Sequence, residues 1–143
     1  MNPNDFEHFD DIYFKEFPGW GEAPATVWAI ERVRQEVVAT QTAEGMDPYE
    51  LLPDFVKAAA GSEAIIAMRG WAAPTGPDED VRPSEHNARQ RVIVYTHLNG
   101  KTRKVTVCIH REGAGVEVME NQGSGALHDS IHNAIREYEE TNK

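Results

Sequence analysis

The strongest constraint on the fold lies between Arg91 and Arg111. Arg91 to Leu98 and Lys101 to Arg111 each alternate apolar and polar residues, and Asn99-Gly100 stands between them. Alternation with period two places one set of side chains on one face of a strand, and Asn-Gly is the preferred two-residue hairpin turn. Setting Leu98 opposite Lys101 pairs Val94 with Val105 and Val92 with Val107, with Ile109 on the same face. A second turn at Glu112-Gly113-Ala114-Gly115 returns the chain through Val116 and Val118, which predicts a three-stranded antiparallel meander.

The flanking segments read as helices. Phe6, Phe9, Tyr13, Phe17 and Trp20 follow the spacing of one helical face, with Asp5 as a cap and Pro18-Gly19 as a stop. From Pro24, the spacing of Val27, Ile30, Val33, Val37 and Val38 predicts a second helix ending at Gly45. Asp47-Pro48-Tyr49-Glu50 has the order of a capping box and starts a third, bent at Pro53. The short run at 62–69 fits helix or buried strand equally. Ser124 caps a last helix whose stripe, Leu127, Ile131, Ala134, Ile135 and Tyr138, is expected to cover the valine face. The fold class is therefore α+β: N-terminal helices, a three-stranded antiparallel meander, and a C-terminal helix packed on the sheet. Residues 1–143 form one domain, with a flexible loop at 72–90 rich in Pro, Gly and acids.

Charge narrows the function classes. The 143-residue chain carries a net charge of −10, which disfavours direct binding to nucleic acid or anionic lipid. Between His86 and Arg111, however, there are six basic residues and no acid. A nucleic-acid-binding domain using the basic hairpin 89–111 is thus one alternative. The α-β-β-β-α order resembles the double-stranded RNA-binding topology. That module places lysines at the start of its last helix, where this chain has Ala126, Leu127, His128 and Asp129, so membership is not assigned.

Catalytic motifs are sparse. His128-Asp129-Ser130-Ile131-His132 partly resembles a zinc-binding helix, and a small metal-dependent enzyme using His128 and His132 is the second alternative. A third ligand is not evident, so no metal and no cofactor are expected. His97 and His110 lie opposite the valines, and the Asn-Gly register sets them about 26 Å apart as solitary surface residues. Gly123-Ser124-Gly125 lacks the strand-turn-helix context of a nucleophile elbow. The single cysteine, Cys108, fits a small strand residue in a reducing, cytoplasmic setting, and no apolar run is long enough to span a bilayer.

The segment from Asn4 to Trp20 holds half of all the aromatic residues together with five acids. Aromatic anchors among carboxylates fit a docking element for a partner with a basic surface. The candidate contacts are Phe9, Asp10, Asp11, Phe14 and Trp20. The function expected from these features is non-catalytic: an acidic binding or inhibitory protein acting on a basic partner, such as one that handles nucleic acid, with carboxylates standing in for phosphates.

Overall fold

The computed structural model describes residues 3–31, 33–34, 36–45, 47–72, 90–119 and 126–141. Among these residues three α-helices and six strands follow in the order α1 (Pro3–Glu16), β1 (Thr26–Glu31), β2 (Glu36–Thr42), α2 (Leu52–Gly61), β3 (Glu63–Ala72), β4 (Gln90–Asn99), β5 (Val105–Arg111), β6 (Val116–Met119) and α3 (Ala126–Thr141). A short 3-10 helix, Pro48–Leu51, leads into α2. The strands form one antiparallel sheet in the order β2-β1-β3-β4-β5-β6. The α+β class holds, but the meander is half of a six-stranded sheet.

The three extra strands come from segments whose pattern misleads. Val27, Ile30, Val33, Val37 and Val38 match a helical stripe, yet Thr26–Glu31 is β1 and Glu36–Thr42 is β2. Strand β1 is buried on both faces, with Val27 in one core and Trp28 and Ile30 in the other, so it lacks the alternation of a half-exposed strand. Its β-branched and aromatic residues favour the extended state. The Glu31 carboxylate holds the connecting turn by accepting from the Val33 and Arg34 amides at 2.9 and 2.7 Å. The run at 62–69 resolves as β3, buried between β1 and β4.

Helices cover both sides of the sheet. On one side Phe55, Val56 and Ala59 of α2 and Ile131 and Ile135 of α3 meet Val27, Ala64, Ile66, Leu98 and Val105. Of the expected valine face, Val105 belongs to this core and Val107 packs against it, while Val92, Val94 and Ile109 are not among its residues, so the expected cover of that face by α3 is at most partial. On the other side Phe6, Phe9 and Tyr13 of α1 pack on Trp28, Ile30, Ile65, Ile93 and Tyr95. Full burial of each such side chain contributes about 1.5–3 kcal/mol.

The β4–β5 connection departs from the two-residue turn. Leu98 pairs with Val105, Thr96 with Val107 and Val94 with Ile109. This is a shift of four residues, which preserves the facing because the side-chain period is two. Asn99 accepts from the Lys101 and Thr102 amides through its side chain, and Arg103 takes a positive φ of 58°. Gly100 is fixed by a different contact: a Cβ there would overlap the Ala59 carbonyl oxygen at the end of α2, and its own amide donates to Ser62 O at 2.9 Å. Asp47 caps the 3-10 helix by accepting from Tyr49 N, and Pro53 begins α2 instead of breaking it. Residues 73–89, most of the expected loop, lie outside the described residues, as does Ser124. No helix among the described residues is long and apolar enough to cross a membrane.

Candidate partner-binding site

The five candidate contacts divide by depth. Phe9 and Asp10 are buried, Phe14 and Trp20 are half-buried, and Asp11 is exposed. Phe9 tilts onto Trp28 with ring centroids 5.5 Å apart. Beside it, Tyr13 makes an edge contact with Trp28 and donates its hydroxyl to the Pro24 carbonyl at 2.7 Å. The aromatic stripe of α1 is thus the seam between helix and sheet.

Asp10 is the polar centre of that seam. Its carboxylate accepts from the Tyr95 hydroxyl at 2.5 Å, and His110 Nδ1 lies 2.9 and 2.8 Å from its two oxygens. A carboxylate this deeply placed is tolerable only with such partners. Burial, reinforced by Asp10, holds the Tyr95 phenol far above its ordinary value. Burial likewise pushes the Cys108 thiol up to about 12. Neither group is a nucleophile near neutral pH.

Phe14 and Trp20 close around the outer ring of His110. Centroid separations are 5.1 Å for Phe14–Trp20, 5.7 Å for Phe14–His110 and 4.9 Å for Trp20–His110. Two arginines from the sheet fasten the chain after α1. Arg69 donates to the carbonyls of Phe17, Gly19 and Gly21 at 2.6–2.7 Å. Its guanidinium also sits over the Tyr13 and Phe14 rings, 5.1 and 5.4 Å from their centroids. Arg91 donates to Trp20 O at 3.0 Å.

The histidines are not solitary surface groups. In the observed register His97 lies opposite Thr106, so His110 is four residues further along β5, roughly 13 Å away. His97 is buried, with Nε2 3.1 Å from Glu63 Oε1, and desolvation lowers its pKa despite the Glu63 charge. His132 is exposed on α3, and the His128 side chain lies outside the described residues. Among the described residues no group of three His, Cys, Asp or Glu side chains is placed to hold a metal ion.

Sequence patterns missed Arg69, Arg91, Tyr95 and His110 as the residues that organise α1. They are distant in sequence and meet only through the sheet. Also missed was the surface of the β1–β2 hairpin. Among the described residues, Val33, Val37, Val38 and Tyr49 are the exposed large apolar side chains, and three of these four belong to that hairpin. No family model matches the chain, and no curated protein or solved structure matches it either.

Proposed function

We propose that this chain is a non-catalytic binding or inhibitory protein whose acidic surface engages a basic protein partner, such as one that handles nucleic acid. One observation carries this reading: among the described residues, exposed carboxylates outnumber exposed lysines and arginines. Glu7, Asp11 and Glu16 on α1, and Glu36, Glu44, Asp47, Glu50 and Asp54 from β2 to α2, are exposed. Of the cations, Lys15, Arg34, Lys57, Lys101, Lys104 and Arg136 are exposed, while three arginines are engaged within the molecule. Arg69 and Arg91 bind backbone carbonyls beside α1, and Arg103 lies 3.4 Å from Glu139.

This use of charge favours a protein partner over nucleic acid. Arg91 and Arg103 are two of the bases on which a nucleic-acid-binding hairpin would depend, and both have internal roles. An exposed carboxylate field accelerates encounter with a basic surface and excludes acidic competitors. In this reading Asp11 and the other exposed acids steer the partner, while Phe9, Asp10, Phe14 and Trp20 hold the α1 segment in place.

The test is capture from lysate on the immobilised chain at low salt, followed by elution with a salt gradient and mass spectrometry. The expected result is one stoichiometric partner with a basic surface, released by salt. Recovery of an acidic partner, or capture insensitive to salt, contradicts the proposal.

A further inference from the structure

The two ends of the sheet are unequal. Strand β6 has four residues, and its Val116 and Val118 pack into the core beneath α1. Strand β2 has seven residues, and those from Glu36 to Gln41 are all exposed. Among the described residues no strand pairs with the outer side of β2. Edge strands are commonly blunted by lysine, proline or bulges, and β2 contains neither lysine nor proline. Its one bulge falls at Val38, opposite Ala29 and Ile30, and Ala39 to Thr42 keep a regular register.

The ladder indicates which backbone groups face outward. Ala43 N–H donates to Ala25 O at 2.9 Å, while Thr42 pairs with Thr26, Gln41 with Val27 and Thr40 with Trp28. Hydrogen-bonded and non-hydrogen-bonded pairs alternate in an antiparallel ladder. Gln41 therefore bonds toward β1, and Thr40 and Thr42 aim their N–H and C=O groups at the open side. Two large apolar side chains adjoin this stretch: Val38, 64% accessible, and Val33, 87% accessible, at the hairpin turn.

Charge selects the occupant. From Glu36 to Val56 the sequence holds five acids, Glu36, Glu44, Asp47, Glu50 and Asp54, and no lysine or arginine. Asp54 is tied to the strand itself, accepting from Gln41 Nε2 at 3.1 Å. It also lines a groove of about 390 Å³ between α2 and α3, together with Lys57 and Glu137. Pairing β2 with a second copy would bring two such acidic surfaces together, whereas a basic strand meets them favourably.

We propose that β2 is a strand-addition edge that takes an extended segment of the basic partner, in which β-branched apolar residues alternate with Lys or Arg. The segment adds as a seventh strand along Ala39–Thr42. Main-chain bonds supply affinity, while the valines and the flanking carboxylates select the side chains. This rests on the acidic-binding reading above and assigns it a surface.

The isotope-labelled full chain can be titrated at low salt with two eight-residue peptides, one alternating lysine and valine, the other lysine and serine. Amide exchange is followed by NMR. The lysine–valine peptide is expected to bind at least tenfold more tightly and to slow exchange at Thr40 and Thr42. Thr40→Pro, which removes an outward N–H but no ladder bond, and Val38→Lys should each abolish that protection without changing the fold. Equal binding of the two peptides, with no protection in β2, overturns the strand edge but leaves a basic partner in place. Failure of both peptides to bind overturns the basic-partner reading as well. Protection already present in the free chain and lost on dilution assigns the edge to a second copy instead.

Discussion

Helix α1 and the β1–β2 hairpin expose opposite kinds of surface. Helix α1 is the most aromatic stretch of the chain, yet Phe6, Phe9 and Tyr13 face the sheet, and its outward residues include Glu7, Asp11 and Glu16. The hairpin buries Val27, Trp28 and Ile30 through β1 but leaves Val33, Val37 and Val38 in solvent. The difference teaches that aromatic density and docking surface are separate properties. Large rings gain most by burial, so in α1 they fix the helix and leave charge outside. On the hairpin, exposed valines and an open backbone edge remain beyond the last paired strand.

The sharpest way to break this contrast is to truncate a ring of α1. Phe9→Ala is expected to cost about 3–5 kcal/mol of folding stability, the range for a buried aromatic, as read by thermal or urea unfolding. A stable Phe9→Ala protein that no longer captures its partner would instead make α1 the docking element and collapse the distinction.

A smaller effect sharpens it. Asp10→Ala leaves the Tyr95 hydroxyl and His110 Nδ1 without their shared acceptor, at an expected loss of about 1–3 kcal/mol. Tyr95→Phe in the same background should then recover part of that loss, because the stranded hydroxyl is gone. An additive double variant in unfolding experiments would mean that Asp10 does not anchor α1 through Tyr95.

Where one period dominated, the fold was legible. The alternation in β4 and β5 and the stripes of α1 and α3 identify those elements, but the side opposite the valines, with Ile93, Tyr95, His97 and Cys108, is buried as well. The β4–β5 turn was misassigned because Asn99-Gly100 satisfies two demands with the same letters: Asn99 closes a longer loop through its side chain, and Gly100 makes room for the end of α2. Strand β1, buried on both faces, had no alternation to read. The exposed residues of β2 then extended an accidental helical spacing. At the candidate site, the acidic-aromatic character of α1 was visible, but its inward contacts were not. Asp10 meets Tyr95 and His110 across 85 and 100 residues of chain, and no local pattern encodes such a meeting.

The central claim is that charge on the outside of the molecule brings a basic partner to the β2 edge while α1 stays docked. Hydrogen–deuterium exchange on the captured complex, compared with the free chain, tests it most directly. New protection is expected at Thr40 and Thr42, with the amides of α1 exchanging as before. Protection that appears along α1 while β2 exchanges unchanged would contradict it.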